Sequence, residues 1–92
     1  MKFMIAWKIP PDGYKPAVEA FPSGGAPAPP GLKLVGRWHT PGSATGWLLM
    51  EGNDGSALAQ FAAEWSGVAE LDISPVIEDA EAATGLSKVF KK

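Results

Sequence analysis

The sequence predicts a single α+β domain built on a four-stranded antiparallel sheet with helices on one of its faces. At 92 residues the chain has the size of one domain, so residues 1–92 are predicted to form a single domain. Strand-like and helix-like periodicities follow one another in the order strand, helix, strand, strand, helix, strand, helix. The segment Trp47–Met50 has no polar position, so the sheet that contains it needs cover on both faces.

The first strand and the first helix are separated by two prolines. Lys2–Ile9 is predicted as a strand, and Pro10-Pro11 ends it because proline cannot donate to a strand ladder. A helix is predicted over about Tyr14–Phe21, with Pro16 in its first turn. Pro22 is expected to end or kink that helix.

Two further strands, Leu32–His39 and Thr45–Glu51, are predicted to form a hairpin around Pro41-Gly42. Proline followed by glycine suits a type II turn, which needs a positive φ at its second central residue. The preceding stretch, Ser23–Gly31, contains several glycines. We expect it to be a structural connector, because its prolines remove the amide donors that a phosphate site needs.

The second half of the chain predicts a helix, a strand and a terminal helix. Residues 52–56 offer N-cap oxygens to the second helix, and Gly67 is its expected C-cap. Its apolar stripe is Leu58, Phe61, Ala62 and Trp65. The fourth strand is predicted over Val68–Val76, where Ala69, Leu71 and Ile73 alternate with Glu70, Asp72 and Ser74. The terminal helix begins near Glu78, and Gly85 is a potential break within it.

This order repeats a split β-α-β unit, which is the ferredoxin-like βαββαβ arrangement with an extra C-terminal helix. Two helices cover one face of such a sheet, so its other face stays open. The predicted strands are too apolar for that face to be left in water. A second copy of the chain, related by a two-fold axis, is the simplest cover, and this predicts a homodimeric α+β barrel.

Several segments together resemble a small bacterial family of unknown function within the dimeric α+β barrel superfamily. They are Met1–Ile9, Tyr14-Lys15-Pro16, Gly36-Arg37-Trp38-His39 with Pro41-Gly42, Gly46-Trp47 and Pro75–Glu78. The superfamily includes cofactor-independent monooxygenases, isomerases and stress-induced dimers, which use the cavity between their two sheets. None of their catalytic motifs maps onto this sequence, so the resemblance implies no activity and no cofactor.

Composition argues against several classes of function. The formal net charge is −2 and no basic cluster is present, which is a poor basis for binding nucleic acid. The third strand carries one aromatic residue and no base, which also argues against an RNA-recognition sheet. The chain has no cysteine and one histidine, so a metal site is not expected. No segment reads as a secretory signal or a membrane span, and we expect a cytoplasmic protein with no membrane partner.

His39 and Arg37 are the first candidate site residues. His39 is the residue best suited to exchange protons near neutral pH. It is either a general acid or base that faces the inter-sheet cavity, or a structural residue bonded to the backbone of the turn. Arg37 projects from the same face as His39 and needs a carboxylate. That carboxylate belongs either to a bound ligand or to the chain, where Glu51, Glu70 and Asp72 are the candidates.

The other candidates have weaker arguments. Glu51 could act as a base or as an ion-pair partner, and Asp72 belongs to a polar row expected on the open face. Trp7, Trp38 and Trp47 are divided between core and cavity wall, and Tyr14 either caps the cavity mouth or lies on the surface.

The hairpin register decides which of these residues share a face. If His39 opposes Ala44, the pair Arg37 and His39 lies on the face opposite Trp38, Trp47 and Glu51. A one-residue bulge instead places Trp47 and Glu51 with Arg37 and His39. The sequence leaves both registers open.

Two functions are compatible with these residues and this fold. The first is a homodimer that binds a small organic molecule in a pocket on the open sheet face, where Arg37 fixes an anionic group and His39 moves a proton. The second is a non-catalytic dimeric accessory module in which the Arg-Trp-His hairpin only holds the interface together.

Overall fold

The computed structural model describes residues 1–24 and 27–90, and it confirms the predicted order of elements. The strands are β1 (Lys2–Lys8), β2 (Lys33–His39), β3 (Thr45–Glu51) and β4 (Glu70–Val76). The helices are α1 (Pro11–Gly24), α2 (Gly55–Trp65) and α3 (Asp79–Val89). The strands form one antiparallel sheet in the order β2-β3-β1-β4, as the ferredoxin-like arrangement requires.

The sheet has one face covered by helix and one open face. Ile5, Leu48 and Met50 form the buried core with Phe61 of α2, and they define the helix face. Side chains alternate along a strand, so the residues between them define the open face. In the middle of the open face Trp38 lies opposite Trp47, and Ala6 and Asp72 continue that row across the sheet. The predicted alternation of β4 is confirmed.

The hairpin has the predicted type II turn. The amide of Ser43 donates to the carbonyl of Thr40 over 2.8 Å, and Gly42 has a φ of 93°. His39 pairs with Gly46 and Arg37 pairs with Leu48. His39 therefore does not oppose Ala44, the pairing considered from the sequence, and the register differs from it by two residues. A shift of two residues keeps each side chain on its face, so the faces are those expected from the first of the two registers. The strand irregularity lies between Leu34 and Gly36, well away from the turn, so it does not exchange the faces near His39.

Helix α1 is longer at both ends than the sequence predicted. It begins at Pro11, where the missing amide costs nothing because the first turn of a helix leaves its amides unpaired. It also continues through Pro22 to Gly24, so of the two outcomes expected at Pro22, an end or a kink, the end was wrong. Of the Gly- and Pro-rich connector, residues 25 and 26 lie outside the described residues.

Helix α2 begins at Gly55, within the segment 52–56 that was predicted to supply its N-cap. Asp54 has an extended backbone, and its Oδ1 accepts from the amide of Ala57 over 3.0 Å. The C-cap is Ser66, one residue before the glycine expected in that role. Gly67 is not among the glycines with positive φ, so it does not end the helix in the left-handed conformation that glycine often adopts after a C-cap. Strand β4 begins at Glu70, two residues later than predicted.

Helix α3 runs unbroken through Gly85, and none of its residues is buried. A capping box between Glu78 and Glu81 stabilises its first turn. The ammonium of Lys2 lies 3.1 Å from Oε1 of Glu78 and ties this end of the helix to β1. Toward its C-terminus, Leu86, Val89 and Phe90 are exposed apolar side chains.

Candidate functional site

A cavity of about 260 Å³ lies between the helix face of the sheet and helices α1 and α2. Strands β1, β3 and β4 contribute Trp7, Leu48 and Leu71 to its wall, and α2 contributes Phe61 and Trp65. Helix α1 contributes Ala17 and Val18 to the lining. Most of the wall is therefore apolar, as is typical of sites for small organic molecules.

The polar part of the wall is concentrated on β2 and the turn that follows it. Arg37, His39 and Ser43 supply the guanidinium, imidazole and hydroxyl groups of this cavity. Arg37 and His39 reach it because both belong to the helix-face parity of β2. One side of an otherwise apolar space thus carries a cation, a proton carrier and a hydroxyl.

The imidazole of His39 is positioned by its row of the sheet. That row runs from His39 through Gly46 and Trp7 to Leu71. Gly46 has no side chain, so the indole of Trp7 lies over its α-carbon and meets the imidazole edge to face, with ring centroids 5.0 Å apart at 72°. The Nδ1 atom of His39 lies 3.1 Å from Oγ of Ser43.

Ser43 occupies an unusual backbone conformation. Its φ is 65°, and it is the one non-glycine residue with positive φ in the described part of the chain. The indole Nε1 of Trp7 donates to the Ser43 carbonyl over 3.1 Å, and the Ser43 amide donates to Thr40. These bonds fix the residue in the left-handed region and hold its hydroxyl beside His39.

Tyr14 fastens helix α1 to the same turn. Its hydroxyl donates to the carbonyl of Gly42 over 2.7 Å, although the side chain itself is exposed and does not line the cavity. Tyr14 is therefore a surface residue that positions the polar edge of the site. The turn is held from two sides, by Trp7 of β1 and by Tyr14 of α1.

The electrostatics of the cavity are dominated by Arg37. Partial burial lowers the pKa of its guanidinium from the ordinary value, because removal from water disfavours the charged form. Arginine has so high a pKa that the group stays protonated at neutral pH. The carboxylates considered as its partners, Glu51, Glu70 and Asp72, belong to the opposite face of the sheet.

The structure thus divides the predicted site residues between two surfaces. Trp7, Arg37 and His39 lie at the cavity on the helix face. Trp38, Trp47, Glu51 and Asp72 belong to the open face. The expectation that Arg37 and His39 face an inter-sheet cavity is corrected here: with Leu48 opposite Arg37 and Gly46 opposite His39, both side chains point toward the helices.

Several residues of this site were not singled out from the sequence. Ser43 is the most informative of them, and its signal was its place directly after Pro41-Gly42, four residues from His39. Trp65 packs against the core, as its place in the α2 stripe predicted, and it also lines the cavity. Helical periodicity identifies an inward-facing side chain without showing whether atoms fill the space in front of it.

Neither a cluster of metal ligands nor a membrane-spanning helix accompanies this cavity within residues 1–24 and 27–90. Over those ranges, no three histidine, aspartate or glutamate side chains converge so that they could hold a metal ion. Every helix in the described part of the chain is too short or too polar to cross a bilayer.

A family model described as a domain of unknown function, DUF3303, matches residues 1–90. The chain belongs to the DUF3303 family. That agrees with the family-level resemblance of the Gly-Arg-Trp-His and Pro-Gly segments to a family of unknown function. No curated protein matches this DUF3303 chain.

Proposed function

We propose that this DUF3303 protein binds a small, largely apolar carboxylate in the cavity between its sheet and its helices. The observation that carries the proposal is the distribution of groups in the wall. The wall is apolar on α1, α2 and the inner strands, and it carries Arg37, His39 and Ser43 at one edge. Such an arrangement complements a molecule with an apolar body and one anionic end.

The size of the cavity restricts the ligand. Its volume of about 260 Å³ is just below the range of roughly 300–1,000 Å³ typical of ligand pockets. A single aromatic ring or a short acyl chain suits that space. The aromatic side chains Trp7, Phe61 and Trp65 favour a flat apolar body.

The charge of the ligand follows from Arg37. Arg37 contributes a partly buried positive charge to the edge of the cavity wall. A planar carboxylate matches the fork of N–H donors on that guanidinium, so the two groups can form a bidentate, charge-assisted pair. His39, beside it on the same strand, would orient the ligand or exchange a proton with it.

Titration with benzoate, benzamide and benzylamine tests this proposal, since the three share a ring and differ in charge. We expect benzoate to bind most tightly and to raise the melting temperature. The Arg37→Met variant should weaken benzoate binding about tenfold or more, because a hydrogen bond to a charged group contributes about 1.5–3 kcal/mol. Benzamide binding should change little in the same variant.

Lys33→Met is the matched control, because Lys33 lies on the same strand but in an open-face row, opposite Glu51. It removes the same charge from β2 and should leave benzoate affinity intact. Equal affinity for benzoate and benzamide, or equal losses in the two variants, would contradict the proposal. At a benzoate concentration of 100 times its dissociation constant, stabilisation should reach about 2.7 kcal/mol.

We further propose that the protein is a homodimer of the α+β barrel type, joined through its open sheet faces. Trp38 and Trp47 lie opposite each other there and are 54% and 46% exposed. Two adjacent exposed tryptophans on an uncovered sheet are typical of an interaction surface. A two-fold axis would bury the same surface of both copies at once.

The accessory-module hypothesis is the second candidate, and the same tryptophans favour it. Of the Arg-Trp-His hairpin, only the tryptophan faces the proposed interface, while Arg37 and His39 face the cavity. The two hypotheses therefore concern different surfaces. If the dimer forms and no member of the benzoate series binds, the accessory role is favoured.

A further inference from the structure

From the geometry of the turn we infer that Ser43 is a nucleophile, activated by His39, that takes the acyl group of a small apolar ester. The inference rests on the proposed binding site and adds a reaction to it. Its basis is the contact between Oγ of Ser43 and Nδ1 of His39, 3.1 Å apart at the edge of the cavity. A hydroxyl within hydrogen-bonding reach of an imidazole is the basic unit of serine acyl transfer.

The backbone of Ser43 supports this role independently. A φ of 65° is disfavoured for a residue with a β-carbon, and such conformations concentrate at functional sites. The bonds from Trp7 to the Ser43 carbonyl and from Tyr14 to Gly42 hold the turn in place. The hydroxyl is thus presented to His39 by a conformation that the surrounding structure maintains.

The His39 side chain is exposed, and its contacts with neighbouring side chains set the position of the imidazole. Its ring lies edge to face against Trp7, with the centroids 5.0 Å apart, and Gly46 leaves the room that this contact requires. His39 is the one histidine of the chain, so no other side chain can serve as an imidazole base. The apolar wall beside the pair offers space for an acyl group or its alcohol.

The reaction is balanced with water as the only co-reactant. Oγ of Ser43 attacks the ester carbonyl while Nδ1 of His39 takes the hydroxyl proton. The bond from the carbonyl carbon to the leaving oxygen breaks, and the alcohol departs with that proton. Water then attacks the acyl-serine, His39 accepts a proton from it and returns one to Oγ, and a carboxylate and a proton are released. The carboxylate product belongs to the ligand class proposed above, and Arg37 is placed to receive it.

The test uses p-nitrophenyl butyrate and intact-mass spectrometry on the full chain. The wild type should gain one butyryl group, localised to Ser43, and release nitrophenolate in an initial burst. Ser43→Gly should abolish the adduct. Glycine adopts a positive φ freely, so this variant is expected to fold, and its melting curve checks that.

Two further variants make the result specific. His39→Asn keeps a polar side chain beside Ser43 but cannot take the proton, so acylation should slow by about 10²–10⁴-fold. Ser74→Ala removes an exposed serine of the open-face parity of β4 and should leave acylation unchanged.

Acylation of Ser43 and binding of benzoate are measured separately, so either proposal can fail without the other. Wild-type protein that binds benzoate but neither gains a butyryl group nor releases nitrophenolate faster than Ser43→Gly overturns the inference alone. An adduct on His39 or on a lysine, or one that persists in Ser43→Gly, also overturns it. If benzoate does not bind and Ser43 is still acylated, the nucleophile stands and the carboxylate site is wrong.

Discussion

Trp7 and His39 meet edge to face above Gly46. The contact is possible because the glycine at position 46 has no side chain. An added β-carbon at Gly46 would overlap the Trp7 ring and would lie 2.6 Å from the carbonyl oxygen of Trp38. The second neighbour is backbone, which cannot move aside without distorting the β2–β3 ladder. The residue type at position 46 therefore determines the arrangement of the candidate site.

We predict that Gly46→Ala destabilises the protein by roughly 1–3 kcal/mol, the usual range for overpacking of a close-packed site. Urea denaturation followed by tryptophan fluorescence measures the loss as a lower midpoint. Gly85→Ala is the control, since nothing lies within 4 Å of a β-carbon added there. That change should be neutral or stabilising, because alanine is the better helix former. If the two variants have the same midpoint, the packing argument fails.

The individual site residues could be predicted from the sequence only in part. Arg37 and His39 were found because residue type and spacing are visible in the sequence. The face they occupy was not, because one residue of register exchanges the two faces and the sequence did not show whether a bulge adds a residue beside the turn. Ser43 was not predicted as a site residue. What distinguishes it is a φ of 65° and a distance of 3.1 Å between its Oγ and Nδ1 of His39, and neither is visible in the sequence.

At the scale of elements, the predictions succeeded where capping and turn chemistry were specific. Pro41-Gly42 predicted a type II turn, and Asp54 lay among the residues predicted to cap α2; both were confirmed. The ends of α1 were predicted less well. Pro11 fits the first turn of a helix, and the loss of a bond at Pro22 did not stop the helix there.

Helix α3 differs from the other helices in how it is held. None of its residues is buried, and the bond from Lys2 to Glu78 fastens its first turn to β1. That hydrogen bond, with the charge of Glu78, raises the pKa of the Lys2 ammonium above its ordinary value. The stabilisation is therefore fully present below the unfolded pKa, about 10.4 for lysine, and it is lost as pH rises through the higher folded value.

We predict that Lys2→Met lowers the urea midpoint at pH 8 and that the difference from wild type disappears well above pH 10.4, the ordinary lysine value. The reason is that wild-type Lys2 loses its proton there and the ion pair with it. Measurements at high salt give the control, since screening should shrink the pH 8 difference. A difference that is independent of both pH and salt would assign the effect of Lys2 to packing.

At the scale of the whole molecule, the two faces of the sheet have separate functions in our proposals. The helix face carries the cavity with Arg37 and His39, and the open face carries Trp38 and Trp47. The sequence predicted a four-stranded antiparallel sheet of the ferredoxin-like type, because the repeated split β-α-β unit is visible in the order of elements. It did not predict a cavity beneath the helices, because the space left between packed side chains depends on their three-dimensional arrangement.

The proposed dimer gives the whole-molecule prediction. The wild type should sediment at twice the chain mass of 9.6 kDa at micromolar concentration. Trp47→Lys should sediment near the chain mass, because it places a charge in the centre of the proposed interface, opposite Trp38. Benzoate binding should survive in the monomer, since the cavity is lined by residues of one chain.

Val89→Lys is the control, because Val89 is an exposed apolar side chain on α3 rather than on the sheet. We expect it to remain dimeric, with the open sheet faces still in contact. A monomeric Val89→Lys beside a dimeric Trp47→Lys would assign the interface to α3 instead. A wild type that sediments at the single-chain mass would contradict the homodimer proposal. The exposed side chains of Trp38 and Trp47 would then require a different partner.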